Sequence, residues 1–374
     1  MLTSPDFSSL SPVAQKILNP DAPAPLRLMA ARGALPGVKP HELVCVVALL
    51  TDSPDEKARE AATATLGKLP QALLDGALNA ELPALVVDKL ARAYLNQHAV
   101  LERLLRQKSV DVSTLEQLAS AADERSGEII ATNEELMLAN PTVIEKLYMN
   151  KQVRMSTADR LLELAVRNGV EVAISAYKEI AQAIKNELIA EASPEPTYDD
   201  IVFHDTEQTA ERAGPLATDE DTHEVDDEGA EKLRERFVPL YAIIGTLSVT
   251  QKIRRAMLGT AAERLLLVRD SNRLVATAAV KSPLMRENEA TQISASRSVS
   301  EDVLRAIAQN REFVRHYQVK LNLVANPRTP FTFAARLMPH LRDNDVRSLA
   351  KSKNVSGAIA LAAKQQLLRK QGKS

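Results

Sequence analysis

The 374 residues are enough for two or three domains, or for one long array of repeats. Aromatic residues make up only 3% and Trp is absent, so the core must consist of Leu, Ala, Val and Ile, which argues against a β-sandwich. A single cysteine, Cys45, excludes an intrachain disulfide and favours a reducing compartment. The net charge of −2 hides a strong asymmetry, because residues from 234 to the end carry 25 Lys and Arg against 10 Asp and Glu.

The chain begins with a Ser- and Pro-rich stretch, residues 1–24, that we predict to be a loose arm. No basic region followed by an apolar run stands in the first 30 residues, so no signal peptide is expected. No apolar run approaches the roughly 20 residues needed to span a bilayer. We therefore expect a cytoplasmic protein without membrane contact.

From residue 25 to about residue 190 the pattern is that of short helices with short turns between them. The segment 53–56, Ser-Pro-Asp-Glu, is a strong helix start, with Ser53 predicted at the N-cap and Pro at the first helical position. The helix that it opens has apolar residues at helical spacing on one face. Short antiparallel helices of this kind are typical of an α-solenoid or a compact bundle.

A helix-entry phrase recurs along the chain and indicates repeats. Each copy has a polar residue, a base, a polar residue and Val, followed by a Ser that we predict to cap a helix. The four predicted capping residues are Ser113, Ser156, Ser300 and Ser356. A second phrase, Ala-Asn-Pro, occurs at 139–141 and 325–327, where Asn-Pro is expected to end one helix and turn the chain into the next. In the C-terminal part these entries recur with a period of roughly 28 residues, one helix pair for each repeat.

On these residues the chain resembles bacterial HEAT-like repeat proteins, including the leucine-rich-repeat-variant type. The segments that carry the resemblance are LTDSPDEKAREAATATLGKLP (50–70), LANPTV (138–143), GTAAERLLLVRDSNRLVATAAVKSP (259–283) and VANPRTP (324–330). The resemblance implies a curved stack of helix pairs with a concave face. It says little about function, because such arrays bind many different partners.

Between the two helical regions lies an acidic segment, residues 191–232, with 15 Asp and Glu against two basic residues. It lacks a helical apolar period, so we predict a disordered linker. The sequence thus predicts an all-α protein, an α-solenoid of HEAT-like helix pairs in two blocks, 25–190 and 233–374, on either side of that linker. Within the linker, apolar residues flanked by acids form a candidate docking motif: Tyr198, Ile201, Val202 and Phe203. The alternative interpretation of the segment is a solubilising spacer.

The basic C-terminal block, 233–374, supplies the candidate partner-binding residues. They are Arg254, Arg255, Arg269, Arg273, Arg297, Arg328 and Lys353. Equivalent loop positions of a solenoid line one edge, so the last three could form a row that suits phosphates or acidic protein segments. The alternative is a solvated surface without a partner. We further predict that the acidic segment competes with any acidic partner of this block.

The sequence offers little support for catalysis, a cofactor or a metal. His41 and Cys45 are four residues apart on one predicted helix, but a nucleophile pair would need an orienting group and an oxyanion site. His204 and His223 lie among carboxylates in the acidic segment, which would lose entropy on binding a metal. A helical-repeat DNA glycosylase would need a residue to grip the flipped base, and no Trp is available. We therefore predict neither catalytic nor metal-binding residues.

The favoured function is a non-enzymatic scaffold for protein–protein interaction, with an acidic protein as the partner. The alternative is nucleic-acid binding through the phosphate backbone by the basic C-terminal block. Few aromatic residues are present to stack on bases, so any such binding would be without sequence preference.

Overall fold

The computed structural model describes residues 10–19, 21–189, 191–217, 220–226 and 230–371. Helix accounts for 66% of the described residues, and the only strands in these ranges form one two-stranded hairpin. The predicted all-α class is therefore confirmed. Packing divides the chain into two compact units, Met1–Leu161 and Leu162–Ser374. The acidic segment, predicted to separate two blocks, instead belongs to the second unit.

The first unit consists of short helices, many of which begin with Pro in the first turn or directly before it. Their bounds are α1 Pro12–Leu18, α2 Ala24–Ala31, α3 Pro40–Leu50, α4 Glu56–Leu66, α5 Gln71–Leu78, α6 Ala84–Ala93, α7 His98–Leu105, α8 Val112–Ala121, α9 Glu124–Ala131, α10 Glu134–Ala139 and α11 Pro141–Met149. The division between the units falls within α12, Met155–Arg167. The most buried of the early helices is α3, which packs against α1, α2, α4, α5 and α6. Its run of buried apolar residues explains that central position.

The prediction of a loose N-terminal arm is wrong for the part of 1–24 that is described. Residues 12–18 form α1, with Ala14 and Ile17 buried against α2 and α3. The backbone N–H of Ser11 donates to the carboxylate of Glu42 at 3.2 Å, which anchors the start of α1. A short amphipathic helix of seven residues is enough to order this segment, because α3 offers it an apolar face.

The predicted serine caps are only partly correct. Ser356 accepts a hydrogen bond from the N–H of Ile359, and Ser300 occupies the N-cap of its helix without a side-chain bond. Ser113 and Ser156 lie inside α8 and α12, so the predicted caps there are wrong. The four copies of the sequence phrase therefore do not all place Ser at a helix N-cap. The phrase by itself does not establish structural repeats.

Helices α4 and α8 begin at other residues than predicted because a nearby Asp, rather than the predicted Ser, occupies the N-cap. Asp111 occupies the N-cap of α8, directly before the helix that contains Ser113. Ser53 was likewise predicted at the N-cap of α4, but Asp55 caps that helix by accepting from the N–H of Lys57. Ser53, two residues earlier, instead accepts from the N–H of Asp55. Asp and Ser are comparably good caps, so the sequence does not choose between them.

A different repeated feature appears in the structure: side-chain amides that hold carbonyl groups about one helix pair earlier. Gln107 donates to the carbonyls of residues 78 and 80 at 3.3 and 3.1 Å. Asn150 donates to those of residues 119 and 122 at 2.9 and 2.8 Å, and Asn326 to those of residues 294 and 296 at 3.0 and 2.7 Å. In each case the amide satisfies carbonyls left unpaired at a helix end. The sequence separations, 27 to 32 residues, are close to the predicted period.

The second unit also consists mainly of short helices, but it includes the hairpin. After the end of α12, its elements are α13 Tyr177–Ile184, α14 Tyr198–Ala213, β1 His223–Val225, β2 Glu231–Leu233, α15 Val238–Thr246, α16 Val249–Leu258, α17 Ala261–Leu267, α18 Arg273–Val280, α19 Glu287–Ala295, α20 Glu301–Gln309, α21 Arg311–Val314, α22 Tyr317–Ala325, α23 Phe331–Leu337, α24 Asp343–Lys351 and α25 Gly357–Gln371. Helix α18 packs against α16, α17 and α20, and α19 packs against α22. The two strands are antiparallel, with His223 opposite Leu233.

The prediction of a disordered acidic linker is wrong for its described residues. Thr197 and Asp200 form a capping box that starts α14, a helix of 16 residues. Phe203, Thr206 and Ala210 are buried along one side of it. Composition alone suggested disorder because few of the residues are apolar; the arginines of the same unit compensate by pairing with the carboxylates.

Candidate functional site

The seven basic residues predicted to bind a partner fall into two groups in the second unit. Arg254 and Arg255 are 0% and 2% exposed, and the side chain of Arg269 is 8% exposed. The expected open surface is therefore not present at these three positions. The exposed group comprises Arg273, Arg297, Arg328 and Lys353. The acidic segment accounts for the difference, because it covers the first group.

One contact of the acidic segment is aromatic. The ring of Phe203, on α14, lies 5.3 Å from the guanidinium carbon of Arg254 and 4.9 Å from that of Arg255. Cation–π contacts of this kind gain strength when they are removed from water. Glu207, one turn further along α14, lies 3.8 Å from Arg255. One face of α14 therefore brings an aromatic ring and a carboxylate to the same pair of arginines.

Only part of the predicted docking motif makes this contact. Phe203 is buried, and Val202 is half-buried. Tyr198 and Ile201 are exposed, at 76% and 52%. The motif was predicted as a linear segment, but a helix turns its residues to different sides, so only some of them face the arginines.

Beneath this contact lie two buried ion pairs that sequence reasoning missed. Arg255 Nε is 2.6 Å from Glu263, and Arg264 makes two bonds of 2.8 and 2.9 Å to Glu289. Glu263 and Glu289 are 0% and 1% exposed. A sequence signal did exist for Glu263, since Thr260 three residues earlier forms a capping box with it. No local pattern pointed to the pairing of Arg264 with Glu289, 25 residues away.

The turn between these helices leaves no room for a larger residue. A Cβ atom at Gly259 would lie 2.5 Å from the carbonyl oxygen of Arg255 and 2.6 Å from a carboxylate oxygen of Glu263. The carbonyl of Gly259 also accepts from Arg264 at 2.7 Å. The glycine therefore permits the close approach that the buried ion pairs require.

The carboxylate of Glu231, at the start of β2, lies in a complete anion-binding site. Its Oε1 accepts from the backbone N–H of Arg297 at 2.7 Å and from Ser296 Oγ at 2.9 Å. Its Oε2 accepts from Ser296 Oγ at 2.8 Å, Ser298 Oγ at 2.7 Å and Arg269 Nη2 at 3.4 Å. Burial by itself would raise the pKa of Glu231, but the bonds from Ser298, Ser296 and Arg297, with the charge of Arg269, lower it to about 2.

Two further carboxylates of the acidic segment support the hairpin. Asp221 Oδ2 lies 2.7 Å from Arg269 Nη2, so Arg269 binds two acidic residues of the segment. Glu220 Oε2 lies 2.5 Å from Arg236, and the N–H of Ala217 together with this arginine lowers the pKa of Glu220. Burial and the charge of Arg269 lower the pKa of His223, which favours its neutral form at physiological pH.

The turn that binds Glu231 belongs to a row of similar turns between helices. Ser296 Oγ accepts from the N–H of Ser298 at 3.3 Å, and Asn326 Oδ1 accepts from the N–H of Arg328 at 3.0 Å. Adjacent turns are joined: Arg269 Nε donates to Ser298 Oγ at 3.1 Å, and Arg328 Nη1 donates to the carbonyl of residue 299 at 3.1 Å. Arg297 and Arg328, predicted in one row, therefore lie on neighbouring turns. Lys353 lies on the next turn of this kind, where Ser352 accepts from the N–H of Asn354.

A cavity of about 760 Å³ lies beside the same segment. It is lined by the end of α14 with the residues after it, and by the beginnings of α17 and α19. The lining includes the Arg264–Glu289 pair and Gln292, whose Nε2 donates to the carbonyl of Glu220 at 2.9 Å. Gln292 Oε1 is buried and makes no hydrogen bond within the described residues.

Other candidate chemistries receive little support from the geometry. Cys45 is 1% exposed, and burial together with the charge of Glu42 raises the pKa of its thiol to about 12, so a nucleophilic thiolate does not form at neutral pH. In the described ranges, no three His, Cys, Asp or Glu side chains are grouped closely enough to hold a metal ion. None of the helices in those ranges has the length and apolar character required to cross a membrane.

Comparisons with known proteins do not identify a relative. The chain matches no protein-family model, and no curated protein or solved structure is significantly similar to it. These comparisons therefore lend no support to the resemblance to HEAT-like repeats.

Proposed function

We propose that this chain is a non-enzymatic protein-interaction scaffold of the cytoplasm, whose second unit binds acidic segments of protein partners. In this proposal the helices of each unit are stacked as HEAT-like pairs. The side-chain amides of Gln107, Asn150 and Asn326, each bound to carbonyls about 30 residues earlier, support that arrangement. A stack of this kind places equivalent turns side by side, as the turns at Arg297 and Arg328 are.

The observation that carries the proposal is the way in which the second unit already holds an acidic segment. Phe203 contacts Arg254 and Arg255, Asp221 pairs with Arg269, and Glu231 accepts hydrogen bonds from a turn and from Arg269. These contacts combine an aromatic anchor with charge-assisted hydrogen bonds, which is a common chemistry of protein–protein recognition. The same recognition chemistry suits a partner segment that carries carboxylates and an aromatic residue.

The same observation makes nucleic acid the weaker candidate partner. Three of the seven predicted basic residues are covered and are paired with internal carboxylates or with the Phe203 ring. The remaining four stay exposed, but Arg273 is paired with Asp302 at 2.8 Å. Binding of a phosphate backbone depends on the number of phosphates that are neutralised, so this reduction lowers the expected affinity.

The test is binding of a labelled Asp- and Glu-rich peptide to the full chain, measured by fluorescence anisotropy at low and at physiological salt. The test variant changes Arg297, Arg328 and Lys353 to Gln. Three exposed contacts of about 0.5 kcal/mol each predict a loss of affinity of about tenfold. The charge-matched control changes Arg311, Lys364 and Arg369, which are exposed in the same unit, to Gln. Equal affinity of the two triple variants would contradict the proposed surface.

A duplex DNA of matched net charge serves as the second ligand in the same experiment. We expect the wild-type chain to prefer the peptide, because carboxylates fit the turn donors more closely than a regular phosphate backbone does. Tighter binding of the duplex, with a steep fall in affinity as salt rises, would replace the proposed function with the nucleic-acid alternative.

A further inference from the structure

The site of Glu231 is built by parts of the second unit that do not depend on the hairpin. Its donors come from residues 296–298 and from Arg269. The turn is held by Asn326, which donates to the carbonyl of Ser296 at 2.7 Å, and Arg269 is held by the carbonyl of Leu265, also at 2.7 Å. Contacts outside the hairpin therefore help to hold these donors in place, which is the property of a preformed binding site.

The hairpin that fills this site has little apolar contact to hold it. Each strand has three residues, and Val225 is 68% exposed. Its main attachments are the charged contacts of Glu231, Asp221 and Glu220. Two-stranded hairpins are marginally stable alone, and segments with few buried apolar contacts open at low free energy. We therefore expect that the hairpin can be released locally while the rest of the unit stays folded.

Beyond the carboxylate, the row of turns offers further positive charge that the hairpin does not use. The guanidinium of Arg297 is exposed and makes no hydrogen bond or ion pair with any described residue. Arg328 follows on the neighbouring turn, where its guanidinium donates, among the described residues, only to the backbone carbonyls of residues 298 and 299. An acidic chain longer than the hairpin would place additional carboxylates beside these two residues.

We propose that Glu231 is an internal stand-in for a carboxylate of a protein partner. An extended Asp- and Glu-rich segment of the partner displaces the hairpin, places one carboxylate among Ser296, Ser298 and Arg269, and continues along Arg297 and Arg328. The hairpin thereby regulates the scaffold, since the site is available only in molecules in which it has opened. This inference rests on the proposed function and adds the site and its regulation to it.

The test compares the full-length variants Glu231→Gln and Glu235→Gln. Both remove one negative charge from nearby positions, but Glu235 is exposed and makes no ion pair within the described residues. The ligand is a labelled peptide with the sequence of residues 217–236, and a second peptide has Gln in place of its residue corresponding to Glu231. An amide cannot accept from all the donors of the site, so the Glu231→Gln chain has a more accessible site but keeps every donor.

We expect the Glu231→Gln chain to bind the first peptide about tenfold more tightly than the wild type does, and the Glu235→Gln chain to bind it as the wild type does. The Gln-containing peptide should lose this gain, and so should a chain in which Ser298→Ala accompanies Glu231→Gln. Hydrogen exchange should show faster exchange in residues 220–234 of the Glu231→Gln chain, with the helices unchanged.

The inference is overturned if the two chains bind the first peptide equally, or if both peptides bind the Glu231→Gln chain equally. The proposed function fails separately, when acidic peptides bind the wild type and both triple variants with the same affinity. If binding depends on Arg297, Arg328 and Lys353 but is unchanged by Glu231→Gln, the proposed scaffold function is supported. The proposal that Glu231 occupies the partner's carboxylate site is then rejected.

Discussion

The two units use charge in different ways although both are built from short helices. In the first unit, pairs between helices lie near the surface: Arg103 and Asp75, for example, are 33% and 48% exposed. In the second unit, Arg264 and Glu289 form a pair whose side chains are 5% and 2% exposed. Surface pairs contribute little to stability, whereas a buried pair has lost its hydration and depends on both partners. The second unit therefore contains buried ion pairs, rather than surface pairs alone, in the region that contacts the acidic segment.

Removal of one partner from each kind of pair should give the largest contrast. Glu289→Ala leaves the buried Arg264 without its carboxylate, and we expect a loss of about 3–5 kcal/mol in the free energy of unfolding. Asp75→Ala in the first unit should cost less than about 1 kcal/mol, because Arg103 stays in contact with water. Urea denaturation of both variants measures the difference. Similar losses would show that the second unit does not depend on its buried charges.

Glycine substitutions should show the next largest contrast. Gly259→Ala brings a methyl group against the backbone of residue 255 and the buried Glu263, and we expect a cost of about 2–3 kcal/mol. Gly127→Ala in α9 of the first unit meets the side chain of Val153, whose nearest methyl carbon lies 2.8 Å from the new Cβ. Ala has a higher helix propensity than Gly by about 1 kcal/mol, which partly offsets the unfavourable contact. The net loss in the free energy of unfolding should therefore be about 1 kcal/mol. Thermal unfolding tests the order, and a larger loss at Gly127 would contradict it.

The repeated amides should instead make the two units alike. Asn150→Ala and Asn326→Ala each remove two hydrogen bonds to carbonyls of an earlier helix end. We expect a loss of about 1–2 kcal/mol for each variant, because the carbonyls that remain are partly or fully buried. Denaturant midpoints measure both. If only one of the two losses occurs, the amides are not equivalent, and the argument for a common repeat weakens.

The last contrast concerns the acidic segment and its dependence on pH. The pKa of Glu231 is lowered from its ordinary value near 4.5 to about 2, so its contribution to stability is fully present above about pH 4.5 and is lost as the pH falls towards 2. The difference in denaturation midpoint between the wild type and Glu231→Gln should follow that course. The variant Asp75→Ala provides a surface comparison, because the side chains of Arg103 and Asp75 are 33% and 48% exposed. A difference that persists unchanged at pH 2 would argue against the ionised site.

Much of the local structure could be predicted from the sequence. Pro and capping residues mark the beginnings of many helices, and apolar residues at helical spacing mark their buried faces, because both depend on neighbours within one or two turns. The all-α class followed from this pattern and from the scarcity of aromatic residues. The residue at each N-cap could not always be predicted. Asp55 and Asp111 occupy the N-caps predicted for Ser53 and Ser113.

Only the tertiary structure decided what the charges do. The acidic segment has the composition of a disordered chain, but α14 and the hairpin are ordered because Arg255, Arg269 and the turn at Ser296 provide partners. Glu231 and Arg297 are 66 residues apart in sequence, and Arg264 and Glu289 are 25 apart. The free energy of such pairs depends on the distance between charges and on their removal from water. Neither the distance nor the burial can be read from neighbouring residues in the sequence. The sequence by itself therefore determined the helices, and tertiary packing determined which arginines remained available to a partner.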